Sequence, residues 1–564
     1  MDSCLTQPIP VQLPPWQPYA KAPSIPGYSN ITSLTPILKA FYGSQEPTTE
    51  GQILAKDLFG AVKEFEGSGN CTVVTTKKQH KAAFCKVSHI LDPIRSLQLF
   101  YHHKDRGEIR KQRKLDNPMN KAYVDALANY LLGQLTERGL SPHFCLFYGC
   151  YRGIAEKYRY DISEEFESFR KYRVFWERRR QGIFSLYVEP DEDLELEDED
   201  MDEILEVMQS TPKSSLRSTA FTAKTDSSSV DSRKSISSAK SHISLDDDIA
   251  DGTAGVSLEL QSVGSIPSAD EEEENNESHS SDTENSEDEE DFDPMWNVFA
   301  EFKDYPVMLI FQEQMTASLD DLLSDEEEVG AEVGTKEWEA RWTAWTFQVI
   351  AALCVAQGVL GFTHNDLHTN NIVWKETKQE YFSYRSRDGT VWKVPTYGKV
   401  FKIIDYGRAI FRVGESWFVS DDYEKGGDAE GQYNFGPHMR KSKPEILPNP
   451  SFDLCRFAVS VIDALYLDMP AEDLEGEVLS REGSWEVRET ESPLWNLLWS
   501  WMIDDKGANV LREENGDEKF PDFDLYQHIT HHVHSAKPQD AIHKKLFDQY
   551  KVKEEERDVF PLFC

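Results

Sequence analysis

The sequence predicts an α+β protein whose folded parts are separated by long disordered segments. Strand-like apolar runs, such as Ala83–Val87 and Val307–Phe311, alternate with helical patterns, the longest of which covers Glu337–Gly358. The segment from Glu189 to Phe292 is acidic, rich in serine and poor in aromatic residues. Such a segment cannot bury enough apolar surface to offset the entropy lost on ordering, so we predict a disordered insertion between two folded parts.

The charge of the chain is concentrated in that insertion. The formal net charge is −40, from 100 acidic and 60 basic residues. Between Glu189 and Asp291 there are 32 acidic and 6 basic residues, a net charge of −26. Nucleic acids and anionic membrane surfaces both favour lysine and arginine, so neither is expected as the main partner.

Cysteine usage and the N-terminus point to an intracellular protein, cytoplasmic or nuclear. The eight cysteines include no C-x-x-C pair, which is typical of a reducing compartment. The start of the chain, Met1–Cys4, lacks the basic and apolar regions of a signal peptide. The nearest approach to a membrane span, Val349–Phe362, is shorter than 18 residues, so we expect no membrane association.

The first elements of the chain are an arm and a glycine-containing turn. Residues 1–50 are rich in proline, serine and threonine, and we predict a mostly unstructured arm. Apolar residues return from Ile53 to Phe65 and are followed by Gly67 and Gly69. These two glycines suit either a loop that binds phosphate through its backbone or a plain hairpin turn.

A lysine in the next strand pattern is a candidate phosphate ligand. Lys86 lies within Ala83–Val87, where the alternative is an edge residue that extends to solvent. The segment Asn120–Arg138 has apolar residues at helical spacing and carries two acids that are candidates to orient the lysine. We favour Asp125 over Glu137 because Asp125 lies deeper in the helix.

The following segments complete the first folded part and begin the second. Pro142–Tyr148 is predicted to be a strand, and further strands and helices should extend to Val188. After the insertion, the buried strand Val307–Phe311 leads to Gln312–Met315. The tryptophans of the Glu337–Gly358 helix share one face and are expected to be core residues.

The stretch Thr363–Trp374 carries the most specific pattern. His364, Asp366 and Asn371 occur in the order H-x-D-x-x-x-x-N, and Asp405 follows 39 residues after Asp366, at the end of a strand-like run. Phosphoryl transfer requires a carboxylate that accepts the proton of the acceptor hydroxyl, and oxygen ligands that hold Mg²⁺ against the phosphates. Asp366 suits the first task, and Asn371 and Asp405 suit the second.

The remaining chain is predicted to be a hairpin followed by a long segment and helices. Asp388-Gly389 separates two strand-like runs, a hairpin signal within the insertion 375–399. Phe452–Val459 should begin a buried helix, and the C-terminal part should contain further helices. Four histidines cluster there, and without companion ligands a helical surface is preferred to a zinc site; they are His528, His531, His532 and His534.

Together these motifs resemble the protein-kinase superfamily in a divergent form. Asp366-Leu367-His368 and Ile403-Ile404-Asp405-Tyr406 are similar to haspin-type kinases, and the first also to aminoglycoside phosphotransferases. His364-Asn365-Asp366 is similar to choline kinases. Short stretches along most of the chain, including Pro142-His143-Phe144, resemble kinase-like proteins of large nucleocytoplasmic DNA viruses.

The resemblance implies a bilobal fold, with a small β-rich N-lobe and a larger helical C-lobe, and ATP and Mg²⁺ in the cleft. It places the N-lobe at 51–188, the insertion at 189–292, the end of the N-lobe and the hinge at 293–316, and the C-lobe at 317–564. It implies that His364, Asp366 and Asn371 form the catalytic loop and that Asn371 and Asp405 bind the metal. The implied nucleotide-binding residues are Lys86, Asp125, Gly67, Gly69, Glu313 and Met315.

The chain also departs from conventional protein kinases. His368 stands where they carry a catalytic-loop lysine, and Asn365 stands where many carry an arginine that pairs with a phosphate. Asn365 has no charge to offer, so we expect activity that does not depend on phosphorylation of Ser416, Ser420 or Tyr423.

Three functions are compatible with these observations. The first is a serine/threonine protein kinase, favoured by the segment after Asp405 and by Lys443-Pro444-Glu445, which resembles the kinase A-P-E. The second is a small-molecule kinase of the choline or aminoglycoside type. The third is a pseudokinase scaffold, which would not need to retain Asp366, Asn371 and Asp405 together. The sequence names neither the acceptor nor an oligomeric state.

Overall fold

The computed structural model describes residues 17–18, 24–42, 51–52, 61–65, 69–74, 78–102, 106–190, 296–553 and 558–563. Over these residues the protein is a mixed α+β structure, with an antiparallel sheet in its N-terminal part and most of the longer helices and several small sheets after it. The predicted α+β class is therefore confirmed. Gly67 and nearly all of the predicted acidic insertion lie outside the described residues.

The N-terminal sheet has seven antiparallel strands, in the order β2-β7-β9-β6-β5-β4, with β8 paired to β9. Its strands are β2 (Tyr28–Thr32), β4 (Ala61–Phe65), β5 (Asn70–Val74), β6 (His80–His89), β7 (Phe147–Asp161), β8 (Ser185–Pro190) and β9 (Trp296–Glu313). Buried and partly exposed residues alternate along the first half of β7, because successive side chains of a strand point to opposite faces. The register of β6 with β9 places Lys86 opposite Ile310, in the centre of the sheet.

The helices of this part lie between its strands in sequence. They are α1 (Pro36–Tyr42), α2 (Pro93–Leu97), α3 (Gly107–Asp116), α4 (Lys121–Glu137), α5 (Ser163–Phe169) and α6 (Arg173–Arg180). The predicted Asn120–Arg138 helix is confirmed as α4, which begins after Asn120, whose side chain accepts a hydrogen bond from the backbone N–H of Ala122. Because α4 packs against β7 and β9, it is buried over most of its length and holds Asp125 near the sheet.

The C-terminal part contains seven helices among the described residues: α7 (Leu319–Leu323), α8 (Glu326–Val329), α9 (Lys336–Leu360), α10 (Phe452–Leu465), α11 (Pro493–Trp501), α12 (Phe523–His532) and α13 (Pro538–Ala541). The predicted tryptophan helix is confirmed as α9, which begins after its N-cap residue Thr335 and ends at Gly361, a left-handed residue with φ of 57°. Trp338, Trp342 and Trp345 are all buried, as expected for core residues.

By length and composition, α9 is the one helix of the described residues that could cross a membrane. Its apolar window is 100% buried inside the protein, and the core helix of a soluble protein passes the same test. No uninterrupted apolar run in α9 reaches 18 residues, because polar residues such as Gln348 and Gln357 interrupt it. The mean hydropathy of the helix is nevertheless high, because these polar residues are few.

The small sheets of the C-terminal part position its loops. Strands β10 (Ala317–Ser318), β11 (Ile372–Glu376) and β14 (Lys399–Ile403) form one sheet, in which Ile372 pairs with Ile403. This pairing brings the end of the His364–Asn371 loop beside the residues that follow β14. The other strands are β12 (Tyr381–Arg385), β13 (Val391–Pro395), β15 (Ile410–Val413), β16 (Ser416–Val419), β17 (Val478–Glu482), β18 (Trp485–Arg488), β19 (Lys551–Val552) and β20 (Val559–Pro561).

Most predicted local elements are present. The hairpin around Asp388-Gly389 is confirmed as β12 and β13, and Gly389 has the φ of 90° that such a turn requires. The predicted helix Phe452–Val459 is α10. His528, His531 and His532 lie on α12, where they are half-buried or exposed.

The described residues of the arm predicted over 1–50 include some regular structure: β2 pairs with β7, and α1 packs against α4. The short strands β1 (Gln17–Pro18) and β3 (Gly51–Gln52) pair with each other. The four buried residues of α1, Ile37, Leu38, Phe41 and Tyr42, supply the apolar surface that this packing needs. The strand predicted at Pro142–Tyr148 begins only at Phe147, since Phe144 instead bridges to Ile403 of β14.

Candidate active site

Three charged residues from three separate segments meet at one point. The Nζ atom of Lys86, on β6, lies 2.7 Å from Oδ2 of Asp125 on α4. The same nitrogen lies 2.7 Å from Oδ1 of Asp405, which follows β14. The predicted pairing of Lys86 with Asp125 is therefore present in the structure, and Asp405 joins it.

Asp125 is fixed from both oxygen atoms. Its side chain is 2% exposed, and Oδ1 accepts hydrogen bonds from the backbone N–H of Tyr406 at 2.9 Å and from Nδ2 of Asn129 at 2.9 Å. Asn129 lies one helical turn further along α4, on the same face. A buried carboxylate needs such donors, so Asp125 links the helix, the strand lysine and the chain directly after Asp405.

The neighbouring charges in this cluster shift the pKa values of Lys86 and Asp405 towards their ionised forms. Burial alone would lower the pKa of Lys86, but the two adjacent carboxylates raise it well above its usual range. Burial acts to raise the pKa of Asp405, and the charge of Lys86 outweighs it and holds that pKa below its usual range. The Asp405 side chain is 45% exposed, so solvent screening moderates this shift. Lys86 is therefore a permanent cation with an anionic Asp405 beside it.

Asp405 itself has an uncommon backbone conformation. Its φ is 63°, in the left-handed region that few residues other than glycine adopt, and Asn365 has a φ of 65°. The residue between β14 and Asp405, Ile404, is held on both sides: its N–H donates to the Asn371 carbonyl at 3.0 Å, and its carbonyl accepts from Nε2 of His364 at 2.8 Å. His364 and Asn371 therefore tie the 364–371 loop to the segment that carries Asp405.

The backbone of the loop is anchored by a buried carboxylate on α10. Asp453 accepts hydrogen bonds from the N–H groups of His364 and Asn365, both at 2.9 Å, one at each oxygen. The Asn365 side chain donates to the Arg408 carbonyl at 3.0 Å and accepts from the Tyr433 hydroxyl at 2.7 Å. These hydrogen bonds fix both the backbone of the loop and the side chain of Asn365.

Asp366 lies in the middle of this loop with its side chain 25% exposed. Its Oδ1 accepts a hydrogen bond from the Tyr526 hydroxyl at 2.8 Å and lies 3.6 Å from Nη1 of Arg408. Burial acts to raise the pKa of Asp366, but the nearby Arg408 charge, with His368, Arg456 and the Tyr526 hydrogen bond, lowers it overall. Asp366 is consequently an ionised carboxylate that can accept a proton.

Asn371 presents its oxygen rather than its nitrogen to the site. Its Nδ2 donates to the Asp366 carbonyl at 2.8 Å and to Nε2 of His368 at 3.0 Å. The amide nitrogen is therefore used within the loop. Among the described residues, no three His, Cys, Asp or Glu side chains are grouped so that they could hold a metal ion.

The remaining predicted nucleotide-binding residues have different environments. Gly67 lies outside the described residues, whereas Gly69 has a φ of 88° and lies so close to β6 that an added Cβ would be 2.9 Å from the Cys85 carbonyl oxygen. Met315 is half-buried, two residues after the end of β9. The Glu313 carboxylate is buried and paired with the ammonium groups of Lys375 and Lys402, so it is occupied within the protein.

Sequence reasoning did not assign a role to three residues that contribute to this site, Arg408, Arg456 and Tyr526. Arg456 donates from Nε to the Tyr526 hydroxyl at 3.0 Å, and Tyr526 in turn contacts Asp366. Arg456 follows Asp453 by three residues on α10, which places both on one helical face. That spacing is the only signal in the sequence that could have indicated Arg456.

Comparison with known proteins identifies no family. No protein-family model matches the chain. A search of curated proteins also found no match.

Proposed function

We propose that this protein is a phosphotransferase with a two-lobed, protein-kinase-like fold, which transfers the γ-phosphoryl group of ATP to a hydroxyl group of a protein substrate in the presence of Mg²⁺. The observation that carries the proposal is the position of Lys86 between Asp125 and Asp405. A strand lysine oriented by a helical acid, next to a metal-binding carboxylate, is the arrangement that binds nucleotide phosphates in protein kinases.

The arrangement of elements supports a cleft between two parts of the chain. Lys86 belongs to the N-terminal sheet, whereas the loops that carry Asp366, Asn371 and Asp405 belong to the helix-rich C-terminal part. A nucleotide bound at Lys86 would therefore lie between the sheet and these loops. Such a position excludes water and strengthens the electrostatic contacts to the phosphates.

The residues present suit a magnesium ion. Asn371 donates through its nitrogen and keeps its oxygen, and Asp405 is anionic and partly exposed. Oxygen atoms of an amide and a carboxylate are ligands that Mg²⁺ accepts, with water and phosphate oxygens completing the shell. Bound there, the ion would neutralise charge on the phosphates during transfer.

In the proposed reaction, Asp366 takes the proton of the acceptor hydroxyl. The acceptor oxygen forms a bond to the γ-phosphorus as the bond from that phosphorus to the bridging oxygen of ATP breaks, and ADP leaves with the electron pair. The lowered pKa of Asp366 keeps its carboxylate unprotonated before transfer, although it also makes the carboxylate a weaker base, and the proton is taken up as the bond forms.

The proposal that the acceptor is a protein is based on the long segment between Asp405 and α10. Within it, Lys443-Pro444-Glu445 is exposed, and the Asn434 side chain donates to the carbonyls of Lys443 and Pro444. The exposed Glu445 gives no additional support to the A-P-E comparison. Small-molecule acceptors therefore remain the second arm of the test.

The proposal is tested by measuring transfer of labelled phosphate from ATP with Mg²⁺, to a panel of proteins in one arm and to choline and aminoglycosides in the other. We expect transfer to protein that is lost in EDTA and reduced by roughly 10²-fold or more in Lys86→Met. Lys81→Met is the matched control, because Lys81 lies on the same strand but on the opposite face.

The outcomes separate the three functions. Transfer only to the small molecules would replace the protein acceptor with a small one. No transfer to any acceptor, or equal activity of the Lys86 and Lys81 variants, would overturn the proposed function and favour a non-catalytic scaffold.

A further inference from the structure

The Tyr526 hydroxyl is the closest side-chain donor to the Asp366 carboxylate among the described residues. The two residues are 160 positions apart in sequence, yet their oxygen atoms lie 2.8 Å apart. Tyr526 is 7% exposed, and its ring packs against Phe452 and Phe523, with centroid distances of 5.7 Å and 5.3 Å. The hydroxyl is therefore held at the carboxylate by the packing of its ring.

The direction of this hydrogen bond is fixed by Arg456. A guanidinium group only donates, so the Tyr526 oxygen accepts from Nε of Arg456 at 3.0 Å. The tyrosine then has one proton, and an ionised carboxylate only accepts. The chain of hydrogen bonds therefore runs from Arg456 through Tyr526 to Asp366, with a positive charge at its far end.

One face of α10 controls both the backbone and the side chain of the loop. Asp453 binds the N–H groups of His364 and Asn365, directly before Asp366. Arg456, three residues later on the same face, reaches the Asp366 side chain through Tyr526. The position of the carboxylate relative to its own backbone is thus set by α10 together with Tyr526 of α12.

We propose that Tyr526 is a positioning residue that orients the Asp366 carboxylate for proton transfer, an inference that rests on the proposed phosphotransferase function. Within the described residues, Tyr526 and Arg408 both contact Oδ1 of Asp366, which leaves Oδ2 for the acceptor hydroxyl. Tyr526 does not need to touch the substrate. Its loss would let the carboxylate rotate away from the geometry that transfer requires.

The test is a double-mutant cycle between Tyr526→Phe and Asp366→Asn. Phenylalanine keeps the ring packing and removes only the hydroxyl, so we expect kcat to fall roughly 10- to 100-fold, the scale of one hydrogen bond to a charged group, with an unchanged KM for ATP. If Tyr526 acts through Asp366, Tyr526→Phe should cause no further loss in the Asp366→Asn background.

Tyr466→Phe is the matched control. Tyr466 is a partly buried tyrosine at the end of α10 whose hydroxyl bonds to Ser492, away from the site, so its loss should leave kcat unchanged. Arg456→Gln provides a second variant that retains the phenol and should give a smaller loss, also absent in the Asp366→Asn background. It keeps the test open should Tyr526→Phe fail to fold.

Failure of the positioning role can be distinguished from failure of the proposed phosphotransferase function. An active wild type with fully active Tyr526→Phe, or with equal losses in both backgrounds, would overturn the positioning role alone. A rise in activity on removal of the hydroxyl would also overturn it, because Tyr526 would then be blocking the base. A wild type without transfer to any acceptor would overturn the proposed function and this inference together.

Discussion

The two carboxylates beside Lys86 differ in their electrostatics. Burial raises the pKa of Asp125, whereas the charge of Lys86 holds the pKa of Asp405 below its usual range. Because Asp405 is 45% exposed and Asp125 is 2% exposed, Asp405 is the carboxylate that a cation can reach. In the proposed function the two acids therefore have separate tasks, even though both contact the same nitrogen.

The roles of Asp405 and Asp366 can be separated by substitution. Asp405→Asn should abolish turnover and weaken the binding of Mg·ATP, because it removes the proposed metal ligand. Asp366→Asn should leave that binding near the wild-type value and lower turnover by roughly 10²-fold or more, the scale of lost acid–base assistance. Calorimetry with Mg·ATP and steady-state turnover measure the two effects, with exposed Asp116→Asn as control. Near-normal turnover in both variants would favour a scaffold.

The main charged residues of the site could be predicted from sequence because each lies in a local pattern. Lys86 lies in a strand, Asp125 in a periodic helix, and Asp405 directly after a strand. Tyr526 could not be given its role in this way, because its contact with Asp366 depends on how α10 and α12 pack. Glu313 shows the same limit: no local pattern indicates that lysines from β11 and β14 meet its carboxylate.

The burial of His143 makes the stability of the folded state depend on pH. His143 donates from Nδ1 to the Phe401 carbonyl and accepts at Nε2 from the Tyr384 hydroxyl, an arrangement that suits the neutral ring. Burial lowers the pKa of His143 to about 3. In the unfolded chain the pKa of histidine is about 6.5, so below that pH the unfolded state binds a proton that the folded state excludes.

We therefore expect His143 to make the protein less stable as pH falls below about 6.5, by about 1.4 kcal/mol per pH unit until the folded-state pKa is approached. Urea unfolding of wild type and His143→Gln between pH 5 and pH 8 measures this. The variant should show a slope smaller by about that amount below pH 6. Above pH 7 the two slopes should coincide, because the ring is neutral in both states. Equal slopes at acidic pH would contradict the prediction.

At the scale of elements, the turn 421–423 is joined to α3 and α4 by buried charge. Asp421 is 4% exposed and accepts hydrogen bonds from Nζ of Lys114 at 2.7 Å, Nδ2 of Asn117 at 2.9 Å and the Lys121 N–H at 3.0 Å. Since α4 also carries Asp125, this contact connects the segment after Asp405 to the helix that orients Lys86.

Asp421→Ala should lower the free energy of unfolding by about 3–5 kcal/mol, because it leaves buried donors and a partly buried ammonium without their acceptor. Asp428→Ala is the control: that side chain is 48% exposed and 3.4 Å from Lys121, so its loss should cost at most about 1 kcal/mol. Chemical denaturation measures both variants. Losses of similar size would mean that Asp421 is not the anchor of this segment.

The same turn bears on regulation. Ser420 is fully buried, with Oγ accepting from the Asp422 N–H at 3.2 Å, and the buried Tyr423 donates to the Arg408 carbonyl at 2.7 Å. A phosphate on either hydroxyl would break this packing and meet the buried acids Asp421 and Asp422. The nearby cations Lys114, Lys121 and Arg408 are already paired with the carboxylates of Asp421 and Asp422.

We accordingly expect activity to be independent of phosphorylation in this segment. Phosphatase treatment of active protein should leave turnover unchanged, as should Ser416→Ala at the exposed serine of β16. Ser420→Ala and Tyr423→Phe should change stability more than turnover, because their hydroxyls are structural. Turnover measured before and after phosphatase, with mass spectrometry to confirm removal, decides this. Loss of turnover that returns on rephosphorylation would contradict the prediction.

Elements with long, regular periodicity were the most predictable, and short or irregular ones were not. The helices α4 and α9 repeat apolar residues over several turns, so their sequence determines them. β2 is a five-residue strand, Tyr-Ser-Asn-Ile-Thr, that acquires its structure by pairing with β7 at the sheet edge. Pro142–Leu146 has the composition of a strand, but its residue Phe144 forms an isolated bridge with Ile403 of β14. This contact depends on tertiary packing, which the local sequence does not indicate.

At the scale of the whole molecule, the acidic insertion leaves and re-enters the fold at one place. β8 and β9 are antiparallel partners, and the last pair in their register is Pro190 with Trp296. Paired strands lie about 4.8 Å apart, so a short turn can join these two ends without strain. The register of the sheet around Lys86 is set by β6 and β9 and does not depend on the connection.

Replacing residues 191–295 with a four-residue hairpin turn should therefore leave the fold intact and keep the melting temperature equal to or above that of the wild type. Each halving of loop length lowers the entropic cost of closure by about 0.6 kcal/mol, so this shortening favours the folded state. A Gly/Ser linker of the original length is the control that separates loop length from acidic content. The melting temperatures of both variants are the measurement. A large fall in the melting temperature of both would show that the acidic segment packs against the fold, although its scarcity of apolar residues predicts that it does not.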